Sequence, residues 1–377
     1  MKSTPANNLD VRRANRNRVY RIIHANNGIS RPEIALRLQV SLPTVMQNVK
    51  SLMQDGLVRE NGNLDSTGGR KAVALSPVHD ARRAIGIDIT KTRTAAVLFN
   101  LDGTLEASKS ISLAFSPDKR FVEKVGQLVD DLIDKSSVSR DRLIGAGVSV
   151  PGIISAAGDA LIASYALPMD GDYLFEPLTK AISQPCRYIN DANAAALAEA
   201  WRTGDPNGNF VYLSLSNSVG GAVVWQGTPR TGDNRRCGEF GHMTVERGGL
   251  RCCCGQRGCL DPYCAATTLS DRSNGDLAEF FSGLTHKEPK LVSAWDNYLD
   301  YLATAVNTLR MAFDYDIILG GYVGAHIEPH LGELRARVEQ LNTFYDNGHF
   351  LKACRHKTEA SASGAALLHI IEYIKEI

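Results

Sequence analysis

The densest chemistry in the sequence lies between residues 238 and 264. Gly238-Glu239-Phe240-Gly241-His242 is followed by Cys252-Cys253-Cys254-Gly255-Gln256-Arg257-Gly258-Cys259, and Cys264 comes shortly after. Outside the cell, such thiols would pair as disulfides. Here the N-terminus is polar with no apolar stretch of signal-peptide type, and no apolar run reaches the roughly 18 residues that cross a bilayer. The reading is a cytoplasmic protein without membrane contact, in which clustered cysteines favour metal over cross-links. His242, Cys252, Cys254 and Cys259 supply one imidazole and three thiols, the number and softness of a closed tetrahedral zinc site. Gly255 and Gly258 let the loop turn tightly enough for the sulfurs to converge. Cys253, between two ligands, is expected to point away, and Cys264 is an alternative ligand. With no open coordination position, the zinc is expected to be structural.

A second chemistry is concentrated at the N-terminus. Residues 1–80 hold 12 Lys/Arg against 6 Asp/Glu, whereas the rest holds 30 against 35, so the net charge of +1 over 377 residues conceals a basic head and an acidic remainder. Such a split points to a polyanion partner for one end only. Val11, Ala14, Val19, Ile22 and Ile23 recur at mostly helical spacing over 12–25, and Gly28 follows. Ser30 can cap a short second helix with Pro32 and Glu33 in its first turn and Ile34, Ala35 and Leu38 as its apolar stripe. Ser41 can cap a third, with Val45, Val49, Leu52 and Met53 inward and Gly56 at its close. Residues 57–60 and 72–75 read as two short strands around a Gly-rich turn. Three helices and a hairpin make a winged helix-turn-helix. Ser41, Thr44, Gln47 and Asn48 then offer hydroxyl and amide groups to base edges, Lys50 offers an ammonium to phosphate, and Gly69, Arg70 and Lys71 form the wing. The expected partner is double-stranded operator DNA.

Ser76-Pro77-Val78-His79-Asp80 breaks the pattern and marks a boundary between residues 1–78 and 79–377. Beyond it, 84–89 and 94–99 read as strands with Asp102-Gly103 as a hairpin turn. A helix follows over about 117–135, with Val122, Val125, Leu128, Val129 and Leu132 on one face. The strand 144–150 ends in Pro151-Gly152. The theme repeats with 210–215, 218–225 and 317–319, the last running into Gly320-Gly321. The order predicts an α/β body of two related lobes, with strand-end glycines such as Gly152 able to approach a phosphate or a sugar in the cleft between them.

These motifs together resemble the ROK family, whose name joins repressors, open reading frames and sugar kinases. The likeness rests on the winged head with its Gly-Gly-Arg wing and on Cys-x-Cys-Gly-x-x-Gly-Cys with the upstream Gly-Glu-x-Gly-His. It implies an actin-like, sugar-kinase-type fold behind the head. It also implies a bacterial regulator at the nucleoid, usually a repressor of carbohydrate-metabolism genes, assembled as a homodimer or homotetramer and answering to a sugar or sugar phosphate. Control by a protein partner in place of a sugar is the rival within this class. Carried over residue by residue, the resemblance places sugar hydroxyls against Asn190, Asp191, Glu239, His242 and Asp261. The family usually has Glu at the last position, and its Asn before Leu-Pro is Ala166 here. His242 is thereby implied in both zinc and sugar contacts, one ring nitrogen for each.

The same resemblance exposes what is missing. The family's first phosphate loop, Asp-x-Gly-Gly-Thr-Lys, reads Asp88-Ile89-Thr90-Lys91-Thr92-Arg93, and its second, Gly-Thr-Gly-x-Gly, reads Ser216-Asn217-Ser218-Val219-Gly220. Backbone amides approach nucleotide phosphates only where Cβ atoms do not intervene. Asp191, at the position of a catalytic base, is therefore expected to accept a hydroxyl hydrogen bond in a binding site, and no catalysis is expected. The rival enzyme class is an ATP-dependent sugar kinase with a regulatory head.

Overall fold

The computed structural model describes residues 8–63, 72–205, 207–344, 348–357 and 359–377. The head forms as its pattern predicts. Helix α1 (Asn8–Ala25) buries Val19, Tyr20 and Ile23. Strand β1 (Ile29–Ser30) leads into α2 (Arg31–Leu38), where the Ser30 hydroxyl accepts from the Glu33 amide. In α3 (Leu42–Gln54) Ser41 caps through Thr44, and Val45, Val49 and Leu52 face inward. Met53 departs from expectation: one position past Leu52 rotates it to the rim, where it is 37% exposed. Strands β2 (Val58–Asn63) and β3 (Val73–Pro77) pair antiparallel, and β1 adds to β3 on its other side. Ser76 and Pro77, expected in the linker, instead complete β3 opposite Arg59 and Val58. Gly69, Arg70 and Lys71 lie outside the described residues.

The body opens with β4 (Arg83–Ile89), β5 (Arg93–Asn100) and β6 (Leu105–Ser112), an antiparallel meander. Helix α4 (Lys119–Ser136) then crosses to β7 (Leu143–Val150), parallel to β4. A small sheet of β8 (Ile153–Ile154), β9 (Ala160–Ala163) and β10 (Tyr173–Leu174) and helix α5 (Glu176–Ile182) precede β11 (Cys186–Asn190). The first large sheet thus has the order β11-β7-β4-β5-β6. Its buried face closes over α4, whose Val125, Leu128, Val129 and Leu132 fill the first-lobe core as the spacing predicts.

Helix α6 (Asp191–Thr203) leads to the second lobe, with β12 (Phe210–Leu215), β13 (Val219–Trp225) and β14 (Thr228–Arg230) again an antiparallel meander. Helices α7 (Asp261–Cys264), α8 (Ala266–Ser270), α9 (Leu277–Thr285) and α10 (Pro289–Phe313) cover it before β15 (Asp316–Gly320), α11 (Gly321–Gly324), α12 (Leu331–Leu341), β16 (Leu351–Ala353) and α13 (Ala360–Glu376). The order β16-β15-β12-β13-β14 repeats that of the first lobe strand for strand. Two related lobes are therefore present.

Helix α13 joins all three parts. A Cβ at Gly364 would meet the Ala194 carbonyl of α6, and Cβ atoms at Gly86 and Gly147 would meet carbonyls of α13. Small residues let the helices and the first sheet pack backbone to backbone. At its far end Ile374 and Ile377 join one hydrophobic cluster with Val19, Tyr20 and Ile23 of the head. Arg13 donates to the Glu376 carbonyl at 3.1 Å, and Asn17 donates to that of Ile374. Head and body therefore share a core. Among the described residues, no helix is long and apolar enough to cross a membrane.

Candidate functional site

The Cys/His cluster begins with two glycines of the preceding motif. Cβ atoms at Gly238 and Gly241 would run into the Gly221 and Val219 carbonyls, so this stretch lies flat on β13 and ends in a single helical turn over Phe240–His242. Bridges between Thr244 and Cys259 and between Arg251 and Arg257 then fold the cysteine loop back on it. The result brings donor atoms of His242, Cys252, Cys254 and Cys259 within 4.8 Å of one another. Cys252 Sγ stands 3.6 Å from His242 Nδ1, and Cys254 Sγ stands 3.7 Å from Cys259 Sγ. A tetrahedron with metal–sulfur bonds of about 2.3 Å has a sulfur–sulfur edge of about 3.8 Å. Burial, followed by the neighbouring Cys254 and Cys252 sulfurs, pushes the Cys259 thiol up to about 12, whereas the Gln256 backbone lowers that of Cys254. Cys264, the alternative ligand, lies elsewhere: it is buried in the second-lobe core with Sγ 3.8 Å from the Tyr298 carbonyl. Cys253 leaves the four-membered set, exposed and 4.0 Å from Asp261 Oδ2.

Next to the cluster opens an interlobe cleft of about 1240 Å³ whose walls include Gly152, Asn190, Asp191, Glu239, His242 and Asp261. All six residues assigned to ligand are thus brought together. His242 spans both features, with Nδ1 toward Cys252 and Nε2 3.8 Å from Glu239 Oε2. Asn190 is largely committed: it caps α6 by accepting from the Asn193 amide at 3.1 Å and donates to the Gly152 carbonyl at 3.1 Å. Its geometry positions the cleft wall. One Asp261 oxygen is likewise taken by the Val219 amide at 2.6 Å. Burial and the Asp88 carboxylate push Asp191 up to about 7, opposed by the Ala192 amide. Burial also pushes Asp88 up to about 6, against the Ser149 hydroxyl that donates to it at 2.9 Å. Glu239 is raised by burial and lowered by His242 and Arg236.

Two cleft residues were not singled out by the sequence. Tyr165 is 61% exposed and meets the His242 ring edge to face, centroids 5.2 Å apart. Arg235 reaches across the cleft to the Ser155 carbonyl at 2.8 Å. Tyr165 immediately precedes Ala166, so the altered Ala-Leu-Pro stretch was the available signal; Arg235 had none. The β4–β5 turn is closed on itself. Thr90 Oγ1 donates to the Arg93 carbonyl at 2.8 Å, and Arg93 pairs with Glu359 at the start of α13.

On the head, Ser41, Gln47 and Lys50 are exposed, whereas Thr44 and Asn48 are half-buried. Thr44 shares a 2.8 Å hydroxyl contact with Ser41, and the Asn48 amide donates to the Thr44 carbonyl at 2.8 Å. Met46, absent from the expected set, is 54% exposed on the same helix. Arg16, Arg31 and Arg37 are engaged by Asp55, Glu60 and Glu33, which weakens them as phosphate ligands.

The ROK family model matches residues 84–371, and a winged helix-turn-helix DNA-binding model matches 12–59. A xylose repressor of Bacillus spizizenii is 28% identical over 260 residues, 69% of this chain and 67% of the relative. An N-acetyl-D-glucosamine kinase of Salmonella newport is 26% identical over 309 residues, 76% of this chain and 99% of the kinase. The crystal structure of a ROK family transcriptional regulator, a homolog of the E. coli MLC protein, superposes with a TM-score of 0.78 at 19% identity and covers 97% of both chains.

Proposed function

Because the chain belongs to the ROK family and carries a winged helix-turn-helix head on an actin-like, sugar-kinase-type body, we propose that it is a cytoplasmic, sequence-specific DNA-binding repressor. It controls carbohydrate-metabolism genes and responds to a sugar or sugar phosphate. The observation that carries this is the shared core: α6, whose first turn bears Asp191 in the cleft, packs along α13, and α13 ends against α1 of the head. A ligand that draws the lobes together at Asn190–Asp191 thereby changes how the heads are presented. Residues 1–78 act as head and 79–377 as body. A homodimer or homotetramer presents its heads in pairs to half-sites in successive major grooves. The repressor name of the Bacillus relative supports the direction of control.

His242, Cys252, Cys254 and Cys259 would hold a structural zinc, which supplies a rigid closed loop and no open position for water. Through His242 and Asp261 that loop forms one wall of the cleft. Glu239 and Asp191 accept hydroxyl hydrogen bonds from the ligand, Gly152 brings backbone close to it, and Asn190 holds the wall. On DNA, Gln47 and Met46 read bases, Lys50 and the wing residues Gly69, Arg70 and Lys71 meet phosphate, and Ser41, Thr44 and Asn48 hold the helix in register.

Selection of duplexes from a random library by the full-length protein tests the reading. The expected result is an inverted-repeat motif that Gln47→Ala relaxes at defined positions; enrichment of no motif would sink it. The kinase reading draws support from Asp191 and from the Salmonella relative. Release of ADP with any sugar in the presence of ATP and magnesium would establish it. Control by a protein partner would instead leave every sugar without effect on operator affinity.

A further inference from the structure

The joint between head and body holds a second cluster of metal-ligating side chains, remote in sequence from the cysteines. His24 lies in the last turn of α1, His79 lies in the single helical turn after β3, and Asp102 sits in the β5–β6 turn. Asp102 Oδ1 is 3.9 Å from His24 Nε2 and 3.7 Å from His79 Nδ1, and one donor atom from each of the three lies within 4.8 Å of the others. These separations are too long for hydrogen bonds and exceed the roughly 3.4 Å edge of a tetrahedral nitrogen and oxygen site by about half an ångström, a gap that a small shift of the half-exposed Asp102 side chain closes. His79 Nδ1 is buried and has no hydrogen-bond partner, which is a costly state for a ring nitrogen.

The surroundings hold the donors in place. The Leu101 amide donates to the His79 carbonyl at 2.9 Å, and the Trp201 indole donates to the Asp102 carbonyl at 3.0 Å. The two imidazoles stand edge to face, 5.5 Å apart. His24 and Asp102 also line the large cleft, which gives a hydrated ion a way in. One existing contact must be exchanged: His24 Nε2 is 3.1 Å from the Leu101 carbonyl.

We propose that His24, His79 and Asp102 form a divalent transition-metal site, separate from the cysteine centre, that fastens the DNA-binding head to the body. Two imidazoles and a carboxylate favour zinc, cobalt or nickel over magnesium or calcium, which prefer all-oxygen shells. Water completes the coordination. Bound metal ties α1, the linker and a body hairpin at one point, so occupancy limits how far the head can turn.

The test titrates Co2+ into the full-length protein whose cysteine centre is already filled with zinc. The expected result is one further equivalent with visible d–d absorption and no thiolate-to-cobalt charge transfer. His79→Gln and Asp102→Asn, each checked for a native melting profile, should weaken this binding by at least about tenfold. His286→Gln, on an exposed helix end, should not. Absence of a saturable Co2+ equivalent, or binding unchanged in both His79→Gln and Asp102→Asn, overturns the proposal. Either failure leaves the reading of the body as a sugar-responsive regulator intact, because none of Gly152, Asn190, Asp191, Glu239, His242 and Asp261, to which that reading assigns the ligand, is altered.

Discussion

The two large sheets share one strand order, β11-β7-β4-β5-β6 in the first lobe and β16-β15-β12-β13-β14 in the second, yet their equivalent first turns do different things. In the first lobe the β4–β5 turn is locked by its own Thr90 hydroxyl and sends Arg93 to Glu359 at the head of α13. In the second lobe, the β12–β13 turn offers the Val219 amide to Asp261, which tethers the cysteine loop to the sheet. In this chain one secures the helix that runs to the head, and the other secures the cysteine loop that walls the cleft. A fold duplicated in topology thus uses its two equivalent turns for two different tethers.

Five changes would break or sharpen that contrast. The largest effect is expected from Cys254→Ser and Cys259→Ser. Each should remove about one zinc per chain by elemental analysis, and sugar binding by calorimetry should fall below detection because His242 and Asp261 lose their frame. Retained zinc and retained sugar affinity would show that the second-lobe turn does not depend on the loop. Next, Gly364→Val places side-chain atoms against the Ala194 carbonyl where α6 and α13 touch. It should destabilise the protein by about 1–3 kcal/mol, seen as a lower denaturant midpoint, and should uncouple sugar from DNA before it abolishes either.

A smaller effect concerns Asp191. Its carboxyl is raised from an ordinary 3.8 to about 7. A raised acid makes its full contribution to stability below the unfolded pKa, and that contribution is lost as pH climbs through the folded one. Stability should therefore decline between about pH 4 and pH 7, and Asp191→Asn should reduce that slope and melt higher than wild type near pH 7.5 while losing sugar affinity. An unchanged slope in melting experiments across this window would place the buried charge elsewhere, with Asp88 the first alternative. The smallest effect is expected from Arg93→Ala. This partly exposed pair should contribute no more than about 1 kcal/mol. Restoring Gly-Gly at positions 90 and 91 without the rest of the nucleotide site should not create ATP binding in a fluorescence assay.

Much of this arrangement was legible in the sequence, because its signals are local. Helix caps at Ser30 and Ser41, the β4 and β5 runs, and the spacing of His242, Cys252, Cys254 and Cys259 all appear where periodicity and ligand chemistry put them. What escaped was set by tertiary partners. Ile29–Ser30 is too short to read as a strand and becomes one only by pairing with Leu75 and Ala74. Leu105–Ser112 alternates weakly because it is a half-exposed edge strand, and only its partner β5 identifies it. Asn190 looked like a free amide facing ligand, whereas capping α6 and holding Gly152 consume most of its capacity. Cys264 shares the spacing of a ligand yet points into the core, since α7 turns it toward Tyr298. His24, His79 and Asp102 lie far apart in the chain, and only the docking of head on body brings them together.

The central claim is that occupancy of the cleft governs the head. Fluorescence anisotropy of the full-length protein on its selected operator, with each of a panel of sugars and sugar phosphates, tests it most directly. One compound should weaken operator binding at least about tenfold in the wild type and leave Asp191→Asn unmoved while that variant still binds the operator. An operator affinity indifferent to every sugar, or a response equally strong in Asp191→Asn, would contradict the account.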